Sequence, residues 1–238
     1  MALKPETREK LKRVSTATLA TTLFKRGFRQ QFIQNVQPLS PLAESMVGEA
    51  FTLRYMPARE DLNTLAVFRD PSHPQRKAIE TCPPGAVMVI DSRKDARAAS
   101  AGGIPVTRLM QRGVAGVVTD GGFRDSAEIA ALGFPAFHSR PSAPTNLTMH
   151  QAIDINVPIG CGDAPVFPGD VVVGDGDGVI ILPAHLADEL AEEATEMTAY
   201  EDFVTEQVRA GHSIAGLYPA TDESNVHRFA AWRKEKGR

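Results

Sequence analysis

The residues best suited to chemistry begin with the segment Asp120-Gly121-Gly122-Phe123-Arg124-Asp125, which follows the apolar run at residues 114–119. Proteins with parallel sheets bind ligands where the strands end. Arg124 offers a planar fork of N–H donors that suits a carboxylate. Asp125 precedes a predicted helix and has the hard oxygen atoms that Mg²⁺ or Mn²⁺ prefers. The same pair would also suit a helix-capping aspartate beside a surface arginine, and the spacing leaves both interpretations open.

The second candidate segment is Ala101-Gly102-Gly103-Ile104-Pro105, which opens a helix predicted over residues 104–112. The first N–H groups of a helix have no partner within the helix, so they can bind an anion without help from a side chain. A tight loop without a ligand would have the same sequence. A glycine pair alone does not separate the two interpretations.

Buried strands and helices must position these segments. An apolar run at 86–91, the helix at 104–112 and the apolar run at 114–119 predict two parallel strands joined by a helical crossover. Alternating residues predict a strand over 47–55, and two apolar runs around Asp175-Gly176-Asp177-Gly178 predict a hairpin of 171–174 with 179–182. Helices are predicted over 17–24, 126–132 and about 185–210, a short strand over 135–138, and a polar loop with one helical turn over 57–74. This order indicates a single α/β domain with flanking helices.

Composition excludes several classes of protein. The chain has 238 residues, 26 Lys and Arg against 29 Asp and Glu, and a formal net charge of −3, so we expect no nucleic-acid partner. It has no apolar run long enough for a membrane span and no apolar stretch typical of a signal peptide near its start. Two cysteines and six scattered histidines do not form a metal-ligand pattern. We therefore expect a cytoplasmic protein without a membrane partner.

Taken together, the motifs resemble the RraA-like family, which includes divalent-metal-dependent 4-hydroxy-4-methyl-2-oxoglutarate/4-carboxy-4-hydroxy-2-oxoadipate aldolases. The similarity is carried by the glycine loop at 102–104, by "RG-x-x-G-x-V" at 112–118, and by "DG-x-x-RD" at 120–125. The strand at 47–52 and the "PGD…D-x-DGV" hairpin at 168–180 add to it. The resemblance covers about residues 12–211, so we interpret 1–238 as one RraA-like domain with a C-terminal extension at 212–238.

The resemblance implies an α/β/β sandwich of the swivelling-domain type, assembled as a homotrimer or homohexamer with the site between subunits. It implies that Arg124 holds the carboxylate of a 2-oxo acid and that Asp125 binds Mg²⁺ (or Mn²⁺) completed by water. The backbone of Gly102, Gly103, Ile104 and Pro105 would hold the pyruvate end of the substrate. An acidic residue from the last helix of a neighbouring subunit would complete the site, and Glu201 fits that role by its position. A water molecule would act as the base, tuned by Asp120 or Glu201.

Two departures from the family pattern bear on the substrate. Gly103 stands where family aldolases often carry an acidic residue, and Thr21 replaces an aspartate of the first helix. Either a branched dicarboxylic 2-oxo acid or a 2-keto-3-deoxy sugar acid is therefore possible, and the departures favour the sugar acid slightly. The cations available for its far end are Arg54, Arg59, Arg69, Arg76 and Arg97. We expect pyruvate release with oxaloacetate decarboxylation as a side activity; the alternative is a non-catalytic regulator that binds ribonuclease E.

Overall fold

The structure, a computed structural model, describes residues 3–237 of the chain. Within them lie short 3-10 helices at Leu65–Arg69, Asn146–Thr148 and Ala184–Leu186. The α-helices are α1 (Pro5–Leu11), α2 (Thr16–Lys25), α3 (Pro74–Thr81), α4 (Gly103–Gln111), α5 (Ser126–Ala131), α6 (Ala187–Arg209) and α7 (Glu223–Lys236). No helix in this described part combines the length and the apolar character needed to cross a membrane.

The strands form one large mixed sheet and two small sheets. The strands are β1 (Phe32–Ile33), β2 (Gln37–Pro38), β3 (Met46–Pro57), β4 (Val87–Asp91), β5 (Ala99–Ala101), β6 (Gly116–Thr119), β7 (Gly122–Phe123), β8 (Ala136–His138), β9 (Arg140–Pro141), β10 (His150–Ile155), β11 (Ile159–Cys161), β12 (Ala164–Val166), β13 (Val171–Gly174) and β14 (Val179–Leu182). The large sheet has the order β1-β14-β13-β3-β4-β6-β8-β2.

The parallel part of the large sheet runs through β3, β4, β6 and β8. The other pairings of the sheet are antiparallel, including those of β3 with β13 at its start and with β10 at its end. The predicted crossover, in which α4 joins the parallel strands β4 and β6, is therefore confirmed. So is the hairpin of β13 with β14, whose register pairs Val171 with Leu182.

Continuous burial of β4 and β6 follows from packing on both faces of the sheet. One face packs against α3, α4 and α5, where Leu109 and Ile129 are fully buried. The other face packs against the β11–β12 hairpin, including the buried Cys161. A further layer of α1, α2 and α6 covers the outer side of β13 and β14. The result is the mixed α/β architecture with flanking helices that the motifs predicted.

A local signal accounts for the start of α2. The Ser15 hydroxyl accepts a hydrogen bond from the Thr18 N–H at 3.0 Å and caps α2. The structure adds α3 after the 57–74 segment, which holds the expected single helical turn at Leu65–Arg69. It also adds α7, which packs on α6 through an aromatic cluster that contains Phe203 and Trp232.

The buried imidazole of His138 makes stability depend on pH. His138 is 4% exposed, and burial lowers its pKa to about 4, below the ordinary value near 6.5. As the pH falls from about 6.5 to 4, the unfolded chain takes up a proton that the folded chain does not, so stability falls. We expect the wild type to lose about 2 kcal/mol more than His138→Phe between pH 7.5 and pH 5, measured by urea unfolding.

The comparison with the variant is needed because a second group titrates in the opposite sense. Burial raises the pKa of Asp91 to about 6, so this group favours the folded state at low pH and the benefit is lost as the pH rises through 6. Asp91 is the same in both proteins, so the difference between them reports His138. Equal losses in wild type and variant would show that His138 does not carry the effect.

Candidate functional site

The pairing of β5 with β7 brings the two candidate segments together. These strands are parallel, with Ala101 aligned with Phe123, and the Arg124 N–H donates to the carbonyl of Ala101 at 3.1 Å. The glycine loop follows β5 directly, and the Arg124–Asp125 pair follows β7. Both segments therefore leave their strands at the same edge, as expected for parallel strands.

The Asp125 side chain links the two segments. Asp125 stands at the N-cap position of α5 with φ 57°, in the left-handed region, and its side chain does not cap that helix. Its Oδ2 instead accepts a hydrogen bond from the N–H of Gly103 in the first turn of α4, at 3.0 Å. The Nε of Arg124 lies 3.6 Å from the same oxygen. The interpretation of Asp125 as a side-chain cap of its own helix is therefore wrong.

Gly102 lies so close to this pair that no side chain fits there. A Cβ at position 102 would lie 2.7 Å from Cγ of Arg124 and 2.9 Å from Oδ2 of Asp125. The backbone of Gly102 is extended, so the requirement is space and not an unusual backbone angle. Glycine at this position allows the loop to approach the Arg124 and Asp125 side chains.

An open cavity of about 250 Å³ lies in front of these residues. The side chains of Arg124 and Asp125 are 46% and 36% exposed and contribute to its lining. The glycine loop contributes Gly102, Ile104 and Pro105. Other walls come from β5, from α3 and the segment before it, and from the 3-10 turn at Asn146–Thr148; they contain Phe68, Gln75, Arg76, Ile79, Ala99, Ala101, Thr145 and Asn146.

The first turn of α4 offers fewer free donors than the sequence suggested. The N–H of Gly103 is already bound to Asp125, and proline at 105 has no N–H. The N–H of Ile104, at the second helical position, has no acceptor within the helix. The Ile104 side chain is 82% exposed at the mouth of the cavity. The Ile104 N–H is therefore the backbone donor of this turn that an anion could use, and it lies on the cavity wall with Arg124.

Asp120 has a structural position, which corrects the expectation that it tunes a base. It is 3% exposed and is not among the residues that line the cavity. Its Oδ1 accepts from the N–H of Ser92 at 2.7 Å, and its Oδ2 accepts from the N–H groups of Lys94 and Gly162 at 3.0 and 3.2 Å. Burial raises the pKa of Asp120, and these backbone donors oppose that rise. The carboxylate ties the loop after β4 to the β11–β12 hairpin.

A buried ring of hydroxyls supports the glycine loop from behind. The Ser100 Oγ lies 2.6 Å from both Ser92 Oγ and Thr119 Oγ1, and all three side chains are fully buried. A Cβ on Gly121 would lie 2.6 Å from the Ser100 hydroxyl. Glycine at position 121 therefore allows the close approach of β5, a strand of the same chain.

Glu201 lies on α6, away from this cavity in the same chain. Its Oε2 accepts a hydrogen bond from the Thr18 hydroxyl at 2.8 Å, and its Oε1 lies 3.4 Å from the Tyr218 hydroxyl. These contacts join α2, α6 and the C-terminal segment. A contribution of Glu201 to the cavity of a neighbouring subunit stays a prediction.

The cavity provides too few protein ligands to bind a metal ion that has lost its water. It can hold a magnesium ion that keeps most of its bound water. Among residues 3–237 there is no group of three or more His, Cys, Asp or Glu side chains that could enclose a metal ion. Mg²⁺ keeps several waters and binds through one or two carboxylates, which one partly exposed aspartate can provide. Asp125 faces the cavity and uses Oδ2 for the Gly103 N–H. Its second oxygen therefore fits such a site.

Sequence reasoning missed most of the wall formed by the 57–81 region. Gln75 and Ile79 of α3 line the cavity, whereas the sequence pattern predicts a polar loop over 57–74 and no helix directly after it. A signal was present in the sequence. Pro74 is a favoured first helical residue, and Ala78, Ile79 and Cys82 have helical spacing.

Comparisons with known proteins give a consistent family assignment. A family model named RraA-like and described as Aldolase/RraA matches residues 16–181. A protein of Halalkalibacterium halodurans named "Putative 4-hydroxy-4-methyl-2-oxoglutarate aldolase" is 36% identical over 126 residues, which are 53% of this chain and 60% of that protein. A Thermus thermophilus protein named 4-hydroxy-4-methyl-2-oxoglutarate aldolase is 30% identical over 51% of this chain and 73% of its own length.

A solved structure shares the fold over most of its length. Streptomyces coelicolor RraAS2, described as an unusual member of the RNase ES inhibitor RraA protein family, has a TM-score of 0.75 and 28% identity. The alignment covers 85% of this chain and 97% of that one. Relatives of this chain therefore include proteins named as aldolases and a protein named for inhibition of a ribonuclease.

Proposed function

Since the chain belongs to the RraA-like family, we propose that it is a divalent-metal-dependent aldolase that cleaves a 4-hydroxy-2-oxo acid to pyruvate and a carbonyl product. The observation that carries the proposal is the shared cavity: Arg124, Asp125 and the first turn of α4 all face it. A guanidinium, a carboxylate and a helix start at one small cavity suit a 2-oxo acid bound beside a cation. The match to the first curated relative spans only 60% of that protein. We therefore infer the substrate class from the residues of this chain and not from the name of that relative.

Arg124 binds the carboxylate of the 2-oxo acid in this proposal. Its fork of N–H donors can pair with both oxygens and orients the acid in the cavity. Breaking the bond between C3 and C4 leaves an electron pair that delocalises onto the 2-oxo oxygen. Mg²⁺ or Mn²⁺, held by Asp125 and water, would supply positive charge for that oxygen. The N–H of Ile104 and the start of α4 add a favourable dipole at the same end.

The proton of the C4 hydroxyl must leave as the bond breaks. The titratable side chains that line the cavity are Arg76, Arg124 and Asp125, and two of these are permanently charged cations. We therefore assign the base to a water molecule in the cavity, with Glu201 of a neighbouring subunit tuning it. The proton taken from the C4 hydroxyl is then returned to C3, which converts the enolate to pyruvate. Asp120 has no part in this step because it is buried away from the cavity. Loss of CO2 from oxaloacetate places charge on the same oxygen, so that decarboxylation is the expected side activity.

The assembly and location belong to the same proposal. A homotrimer or homohexamer would bring Glu201 of one subunit to the cavity of the next, and the protein would act in the cytoplasm. The substrate is a branched dicarboxylic 2-oxo acid or a 2-keto-3-deoxy sugar acid. The Thermus thermophilus relative is named for the first of these.

The deciding experiment measures pyruvate released by EDTA-treated protein with and without Mg²⁺ or Mn²⁺. The substrates are 4-hydroxy-4-methyl-2-oxoglutarate, 2-keto-3-deoxy pentonates and hexonates, and oxaloacetate. We expect release that depends on the metal, and the rates rank the substrates. If folded protein releases no pyruvate from any of these substrates, the proposal that the protein is an aldolase is wrong.

The second candidate function is regulation of a ribonuclease, favoured by the likeness to the Streptomyces coelicolor protein. A direct test is the effect of this protein on RNA cleavage by purified ribonuclease E, together with a pull-down. Binding and inhibition without pyruvate release would favour the regulator. Pyruvate release without binding would favour the enzyme.

The substitution Gly102→Ala tests the close approach at the loop. The added methyl would overlap Arg124 and Asp125, so one or both must move away from the substrate. Because small displacements of positioning groups are costly, we expect kcat/KM for pyruvate release to fall at least about tenfold. The matched control is Gly160→Ala on β11, where a Cβ meets nothing within 4 Å. Full activity of Gly102→Ala would show that the loop does not position the pair.

A further inference from the structure

The wall formed by the 57–81 region presents a guanidinium to the cavity. Arg76, on α3, lines the cavity and also the groove that adjoins it. Five arginines could have served the far end of the substrate by sequence. Arg54, Arg59 and Arg97 are paired with Asp154, Asp61 and Asp95 respectively, and none of the three lines the cavity. Arg69 lines only the adjoining groove.

An aromatic ring positions the Arg76 guanidinium and leaves its N–H donors free. The guanidinium lies 4.9 Å from the ring centroid of Phe68, in a cation–π contact. The Phe68 ring in turn meets His73 edge-on, with centroids 6.1 Å apart. No carboxylate within residues 3–237 forms an ion pair with Arg76. A cation held in place without a partner anion is prepared to bind an anion.

The neutral polar groups of the same wall are already engaged. The Gln75 amide donates to the Tyr55 hydroxyl and to the Ser100 carbonyl, each at 2.9 Å. Its Oε1 accepts from the Asn146 amide at 3.3 Å, and the Thr145 hydroxyl donates to Oδ1 of Asn146 at 3.2 Å. The hydroxyl groups of a sugar acid would therefore have few free hydrogen-bond partners at this wall. A second carboxylate could form an ion pair with Arg76.

Resting on the proposed function, we propose that Arg76 is the residue that selects the substrate's far end. It binds an anionic group on the half that leaves as the carbonyl product, while Arg124 binds the 2-oxo acid end. Phe68 is its positioning residue. The site therefore takes 2-oxo acids with a second carboxylate in preference to acids of equal length that end in a neutral group. This reverses the slight preference for a sugar acid that the sequence suggested.

The test compares two ligands that differ only at the far end: 2-oxoglutarate and 2-oxopentanoate, which has a methyl group in place of the second carboxylate. Affinities are measured by calorimetry in Mg²⁺ at low ionic strength. We expect the wild type to bind 2-oxoglutarate at least about tenfold more tightly, as a charge-assisted contact requires. In Arg76→Gln we expect that preference to fall below about threefold, with unchanged affinity for 2-oxopentanoate. Phe68→Leu should give an intermediate preference.

The matched control is Arg59→Gln, which removes the same charge from the same region outside the cavity. It should keep the full preference. A preference that survives in Arg76→Gln, or its absence in the wild type, would overturn the proposal. Because the readout is binding, the two proposals fail separately. Selective binding through Arg76 without pyruvate release would reject only the aldolase, and pyruvate release without an Arg76 effect would reject only this assignment.

Discussion

Replacing Arg124 by alanine should lower kcat/KM for pyruvate release about 10- to 150-fold. The loss corresponds to about 1.5–3 kcal/mol, the contribution of a hydrogen bond to a charged group. Arg124 is the guanidinium beside the start of α4 and Asp125, so its removal leaves the carboxylate of the 2-oxo acid without its bidentate partner. Steady-state kinetics with the best substrate of the panel measures the effect.

Two further measurements separate binding from damage to the fold. Free guanidinium ion added to Arg124→Ala should restore part of the activity, whereas a merely structural defect would not respond. Arg97→Ala is the matched control, because Arg97 is 70% exposed, paired with Asp95 and outside the cavity lining. A loss smaller than tenfold in Arg124→Ala, with the protein folded, would contradict the assignment of Arg124 to the substrate carboxylate.

Replacing Asp125 by asparagine should raise the Mg²⁺ concentration needed for half-maximal activity at least about tenfold. Asparagine keeps an oxygen that can accept from the Gly103 N–H and tolerates the left-handed backbone at this position. It removes the negative charge that a hard divalent cation requires. The variant therefore isolates the role of the charge from the role of the hydrogen bond. Titration of Mn²⁺ onto the protein, followed by calorimetry, gives the same comparison without turnover.

Asp163→Asn is the matched control for that substitution. Asp163 also has a positive φ, 70°, and also pairs with a basic residue, Lys94, but it does not line the cavity. It should leave Mn²⁺ affinity and activity unchanged. Equal Mn²⁺ affinity in wild type and Asp125→Asn would show that the metal binds elsewhere.

Local sequence signals were sufficient for most individual elements. The apolar runs that became β4 and β6 and the hairpin around Asp175 are specified within a few residues, and these predictions were confirmed. The prediction failed after the proline-rich and charged segment at 57–74, although Pro74 and the spacing of Ala78 and Ile79 indicate a helix there. The helix α3 follows such a segment, and its cavity-lining face includes Gln75 and Arg76, residues with no hydrophobic pattern of their own.

Only some residues of the candidate site could be predicted from the sequence. The motif identified Arg124 and Asp125 because a strand that ends in a charged pair before a helix is a local pattern. It misassigned Asp120 because a carboxylate at a strand end can face a ligand or the backbone, and the three donors that bind it come from residues 92, 94 and 162. Contacts across such separations leave no trace in local spacing.

The sequence by itself determined the family, the order of the elements and the two segments that could do chemistry. The tertiary structure decided how those segments meet, because only the pairing of β5 with β7 brings Gly102 against Arg124. It also decided which of five arginines reaches the cavity, because α3 places Arg76 over Phe68 in its wall while the ion pairs of Arg54, Arg59 and Arg97 lie outside it. Charge is a property of a residue, but whether that charge is free to bind a ligand depends on what the fold places beside it.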